Sequence, residues 1–174
     1  MRRNAVRDMT YIAVCVALMA ICAWLVIPSS PPFTMQTLAV FLSVGLLGGR
    51  RGTIAVGVYL LLGAIGLPIF SGFQGGFGVL LGATGGYLVG FLVAALVMWG
   101  AQRLSLPLSL SMLLGQLICY AFGTAWYMLF YLASGGSGNL LVVLGICVFP
   151  FLLSDLAKIF LTLFLVRRLK PFLR

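Results

Sequence analysis

Histidine is missing from this 174-residue chain, and acidic residues number only two, Asp8 and Asp155. The four cysteines (Cys15, Cys22, Cys119 and Cys147) sit inside apolar runs without metal-ligand spacing, so no metal site is expected and they read as small core hydrophobes. The same shortage leaves no nucleophile–base arrangement, so the chain is not expected to be an enzyme. No Gly-Lys-Ser/Thr follows any glycine-rich stretch, which removes the phosphate loop and any nucleotide cofactor of its own. Charge of either sign is scarce, at 7% of residues.

What is present settles the class. Apolar residues make up 63% of the chain and mean hydropathy is +1.20, far outside soluble averages. The length suits one membrane domain, residues 1–174, with no room for a second folded unit. Eleven basic residues against two acids give a net charge of +9. Gathered in one patch, that excess would suit nucleic acid. It is spread in short clusters at the ends of apolar runs, so the expected partner is membrane lipid and not nucleic acid.

The first apolar segment, about Tyr11 to Ile27, follows Arg2, Arg3 and Arg7. A signal peptide would look similar, but the chain beyond is as apolar, so a retained membrane helix is expected. Ala13 and Ala17 form a small-xxx-small step, continued by Ala20, that admits close approach of a helix from this chain or from a partner. Pro28 to Pro32 forms a break. The runs at about Met35–Leu47 and Thr53–Leu67 are short for a full span and require tilt or loop extension. A fourth run, Val79 to about Met98, carries Gly78, Gly82, Gly86, Gly90 and Ala94 at every fourth position, a ridge for close crossing with Thr84 and Tyr87 beside it. The fifth, about Leu108–Leu132, holds Trp126, Tyr127 and Tyr131 where an aromatic belt belongs. A flexible polar loop, Ser134–Asn139, and the short apolar stretch Leu140–Phe149 follow. Pro150 then opens a last helix over about Phe151–Leu169.

Topology follows from charge. Every basic residue but Lys158 lies in the N-terminus, at Arg50–Arg51, at Arg103, or in the cluster Arg167, Arg168, Lys170 and Arg174. The alternate connections 28–34, 68–77 and 133–139 carry none. The positive-inside rule then gives an all-α polytopic membrane fold of six transmembrane helices with both termini cytoplasmic. Lys158 stands apart, three residues after Asp155 on one helix face. A charge at bilayer depth costs about 2.5–3.5 kcal/mol on insertion scales, so the pair either serves a ligand or ion or locks helices together. Counting back from Arg167 at about 1.5 Å per residue places Asp155 roughly 18 Å into the membrane. That lies in the outward half of a ~30 Å core.

Loops 28–34 and 68–77 fall on that side, so a pocket roofed by them and floored by the pair is expected. Phe70, Phe73 and Phe77 would line it with Gln74 as a polar tip, or else form an interfacial aromatic belt. Asp155 would accept N–H groups and Lys158 would donate to a carbonyl or carboxylate of a small neutral-headed ligand.

Three segments carry a resemblance. They are Pro32-Phe33-Thr34-Met35-Gln36-Thr37-Leu38-Ala39-Val40; Gly66-Leu67-Pro68-Ile69-Phe70 through Gly75-Gly76 to Gly82-Ala83-Thr84-Gly85-Gly86-Tyr87-Leu88-Val89-Gly90-Phe91; and Pro150-Phe151-Leu152-Leu153-Ser154-Asp155-Leu156-Ala157-Lys158. In this order, with the Ala13/Ala17 step, they span nearly the whole chain, which resembles the BioY family, the biotin-binding S component of energy-coupling factor (ECF) vitamin transporters. The family pattern has Pro where Ala83 stands and Pro-Gly where Leu153-Ser154 stands, and this sequence departs from it there.

The resemblance implies an S component in a prokaryotic cell membrane that captures biotin from outside. It would deliver biotin with a transmembrane coupling subunit and two ATPase subunits, which would supply the absent nucleotide site. It also implies Asp155 and Lys158 at the ureido ring or its surroundings, Phe33 and Thr34 in a lid, and Phe73, Gln74 and Tyr87 on the pocket wall. Ala13 and Ala17 would dock on the coupling subunit. Two other readings stand beside it. One is a self-sufficient secondary carrier with Asp155 as proton site, although no inverted internal repeat is evident. The other is a non-transporting scaffold with the pair as glue.

Overall fold

The computed structural model describes residues 2–29, 31–135 and 139–173. Helix α1 (Arg2–Trp24) starts well upstream of the apolar run, because nothing between Ala5 and Tyr11 breaks a helix. The prolines from Pro28 end it. The chain turns back through a short antiparallel hairpin, β1 (Val26–Ile27) with β2 (Phe33–Thr34), in which Val26 faces Thr34. Ser29 braces the turn, its Oγ accepting from Phe33 N at 3.0 Å and donating to Pro31 O at 2.7 Å.

Helices α2 (Gln36–Leu47) and α3 (Gly49–Ala64) meet at Gly48, whose φ of +79° suits glycine. Twelve residues of α2 extend about 18 Å, well short of a ~30 Å hydrocarbon core. The deficit is tolerated because α2 is the central helix, buried over 36–45 and surrounded by α1, α3, α5 (Gly85–Arg103) and α8 (Phe149–Leu169). The main core gathers Met19, Phe41, Val44, Tyr59, Met98, Met112 and Ile159.

The expected fourth helix is broken. A short α4 (Phe77–Leu81) ends at Gly82, and α5 starts afresh at Gly85 after a corner that brings Gly85 onto the Leu80 carbonyl. The small-residue ridge is divided with it. Gly86 packs on Trp126 and Gly90 on Cys119, both on α6 (Leu108–Ala133), whereas a side chain at Gly78 would meet nothing within 4 Å. Within this ridge, close crossing is therefore the work of α5 against α6.

Helix α7 (Leu140–Cys147) is capped by Asn139, whose Oδ1 accepts from Leu141 N at 3.0 Å. Pro150 sits in the first turn of α8 as expected, and the helix begins at Phe149, two residues before the expected Phe151. The centre of the expected polar loop, residues 136–138, and Arg174 lie outside the described residues.

Charge divides the two ends of the bundle. At one, Arg51 pairs with Asp8 at 2.9 Å, Gly49 N donates to Gln102 Oε1 at 2.8 Å, and Gly45 packs against Val166. These contacts bring the Arg7, Arg50–Arg51, Arg103 and Arg167 regions together. At the other end Trp24 Nε1 donates to Pro68 O and Trp126 Nε1 to Gly82 O, each at 3.0 Å, among uncharged loops. Leu61, Leu129, Leu153 and Phe160 project from the outer surface. Among the described residues four helical stretches are long and apolar enough to cross a bilayer: Ala5–Trp24, Gly85–Arg103, Leu108–Ala133 and Leu140–Phe172. This is a membrane protein.

Candidate functional site

Asp155 and Lys158 point inward from α8, each 5% exposed. Their spacing closes an ion pair of 2.8 Å between Nζ and Oδ1. Lys158 Nζ also donates to Thr34 O at 2.8 Å and stands 4.3 Å from the centroid of the Phe33 ring. That ring stacks on Phe151. The ammonium is thus engaged on three sides. Through Thr34 it also staples the hairpin to α8.

The second carboxylate oxygen, Oδ2, accepts from Gln116 Nε2 at 2.9 Å and from Tyr120 OH at 2.5 Å. Sequence reasoning missed both residues. Their signal was present: Gln116, Tyr120 and Thr124 recur every fourth position along the apolar α6 and are all buried. In lipid such a polar stripe must face protein or a cavity. Gln116 is 7% exposed, and its Oε1 has no hydrogen-bond partner. An acceptor buried without a partner costs about 1–3 kcal/mol.

These groups form the buried end of a cavity of about 470 Å³, within the range of small-molecule sites. Phe70, Tyr87, Phe91 and Phe151 contribute to its walls. Pro28, Ser29, Gly72 and Gln74 are its exposed rim. The roof is tied down from below: Gln36 Nε2 donates to Tyr59 OH at 2.9 Å, and Tyr59 OH donates to Ile69 O at 2.8 Å. Phe70 packs edge-on against Tyr59 and over Gly63.

Of the residues picked out from the sequence, Asp155, Lys158, Thr34, Gln74 and Tyr87 line this cavity. Tyr87 lies against Gly123, with its hydroxyl 3.5 Å from Thr124 Oγ1 and 3.4 Å from the Cys147 carbonyl. Phe33 sits behind Lys158, outside the lining. Phe73 is not brought to the cavity: it is 64% exposed and stacks on Trp24 with centroids 4.9 Å apart. The reason is a tight turn, in which positive φ at Gly72 and Phe73 and the bond from Phe70 N to Gln74 O send Phe70 inward and Phe73 outward. Phe77 is exposed as well, so of the expected aromatic wall only Phe70 lines the cavity.

Ala13 and Ala17 lie exposed on α1, but Ala20 turns into the core and Ile21 takes its place on the outer face. All four cysteines are buried, and Cys119 and Cys147 also line the cavity. Among the described residues no cluster of three or more His, Cys, Asp or Glu could hold a metal ion.

The family model described as the BioY family matches residues 1–174. The chain belongs to the BioY family. Among its relatives, the biotin transporter BioY of Thermotoga maritima is 42% identical over 144 residues, covering 82% of this chain and 73% of that protein. The probable biotin transporter BioY of Pyrococcus horikoshii is 33% identical over 165 residues, covering 94% and 96%. The crystal structure of the S component for biotin from an ECF-type ABC transporter matches with a TM-score of 0.86 at 29% identity. That match covers 98% of this chain and 94% of the other. Where this BioY chain departs from the family pattern, at Leu153-Ser154, α8 runs on unbroken, with Ser154 Oγ donating to Phe151 O at 2.8 Å. The other departure, Ala83, falls at the corner between α4 and α5.

Proposed function

We propose that this protein captures biotin at the outer face of a prokaryotic cell membrane, as the substrate-binding S component of an ECF-type ABC transporter. It is a transport protein and not an enzyme. The observation that carries the reading is the unpartnered Gln116 Oε1 beside the Asp155–Lys158 pair, at the buried end of a cavity walled by aromatic rings. A ureido ring offers N–H donors to such acceptors, and its flanking hydrocarbon suits the walls. The names carried by relatives and by the matching structure support biotin as that ligand.

In this reading α1, α2, α3, α5, α6 and α8 are six spans, and both termini are cytoplasmic. Support comes from the basic residues gathered at one end and the cavity at the other. The chain acts as a single substrate-binding unit over 1–174 and has no cofactor. Biotin is its cargo, and a coupling subunit with two ATPase subunits supplies energy.

Equilibrium titration of the purified full chain with biotin, without ATP or partners, tests the reading directly. Saturable nanomolar binding is expected. A folded chain that does not bind would leave the pair as structural glue.

The exposed Ala13/Ala17 step is the proposed docking surface for the coupling subunit. Ala13→Trp with Ala17→Trp should leave biotin affinity within about twofold and abolish co-purification of the coupling subunit. Survival of the complex would move the docking surface elsewhere.

A further inference from the structure

The cavity is electrically closed at its floor and uncharged at its mouth. Its lining contains one acid and one base, Asp155 and Lys158, and they neutralise each other at 2.8 Å. Two of the three N–H donors of Lys158 are taken, by Asp155 Oδ1 and Thr34 O, and its ammonium also stands over the Phe33 ring. Among the described residues no second cation lines the cavity. Segments 26–47 and 66–157 contain one basic residue, Arg103, and it lies at the opposite end of the bundle against Trp99. The exposed rim offers Ser29, Gly72 and Gln74, which are neutral.

These facts fix how an acid with a neutral polar head must enter. Placed carboxylate-first, its charge would be buried against Asp155, and it would have to compete with Asp155 for the one ammonium. That competition leaves two buried carboxylates sharing one cation, an uncompensated buried charge that is strongly unfavourable. Placed head-first, the ligand gives an N–H to the vacant Gln116 Oε1 and leaves its carboxylate at the rim, still in water. A hydrated carboxylate beside neutral hydroxyl and amide groups gains little from the protein.

On the reading of the site as a biotin receptor, we infer that the carboxylate is not part of what the protein recognises. It therefore accepts uncharged, carboxyl-modified forms of the ligand, amides of the acid, nearly as well as the free acid. The ligand class is a ureido ring on an acyl chain, whatever that chain ends in.

The test is equilibrium binding of biotin and of its primary amide to the full chain in detergent, each at low and at high salt. The amide is expected to bind within tenfold of the acid, and the affinity of the acid to change less than threefold with salt. A charge-assisted hydrogen bond to the carboxylate would contribute a factor of ten or more. Loss of more than tenfold with the amide, or a steep salt dependence for the acid alone, would overturn the inference while leaving biotin as the ligand. If neither compound binds, the biotin reading itself fails, and the inference with it.

Discussion

Asp155→Asn abolishes biotin binding and destabilises the protein, whereas Asp155→Asn combined with Lys158→Met restores much of the stability and none of the binding. This is the largest effect the structure predicts. Asp155 accepts from Lys158, Gln116 and Tyr120, all of them buried. An asparagine in its place removes the counter-charge and leaves an ammonium in the interior. Breaking a buried pair on one side costs about 3–5 kcal/mol, while replacing both members with neutral groups of similar volume is often close to neutral.

Lys158→Met fills the same space but gives up the bond to Thr34 O, so recovery is incomplete and the hairpin loosens. Thermal midpoints and equilibrium titration, measured on the two single variants and the double, separate the two roles. A double variant that binds biotin like the parent would reduce the pair to a structural lock.

Gln116→Leu gives the opposite signature, a large loss of affinity with a small change in stability. Two terms of similar size cancel in the unliganded protein. The bond from Nε2 to Asp155 Oδ2 contributes about 1.5–3 kcal/mol as a bond to a charged group, and the unpartnered Oε1 costs about 1–3 kcal/mol. Leucine removes both at nearly constant volume. With the ligand present nothing cancels, because its N–H is then buried without an acceptor. Binding should weaken by a factor of about 10–100, and the thermal midpoint should move by only a few degrees. Unchanged affinity would show that Oε1 does not meet the ligand.

The contrast between these two variants follows how the site divides between near and distant sequence. Asp155 and Lys158 were found from the sequence because a helix places i and i+3 side by side. Gln116 and Tyr120 reach the same carboxylate from 39 and 35 residues away, and Thr34 reaches Lys158 from 124. No local rule joins those positions. The aromatic loop makes the same point within ten residues. Phe70 and Phe73 look equivalent in the sequence, but two successive residues with positive φ turn one into the cavity and the other onto Trp24.

The sequence by itself determined the membrane class, the alternation of basic and uncharged connections, the helical character of the chain and the Asp155–Lys158 pair. Composition, charge and helix periodicity are properties of neighbouring residues, and they survive without knowledge of packing. Tertiary structure alone decided that α2 is the central helix, that the glycine ridge breaks at Gly82, and that Ala20 turns inward while Ala13 and Ala17 stay exposed. It also decided that the stripe on α6 completes the site. The physical reason is that lipid and protein interior are almost equally apolar. A membrane helix therefore carries little sequence record of which face turns inward, and side-chain packing and a few buried hydrogen bonds set its rotation.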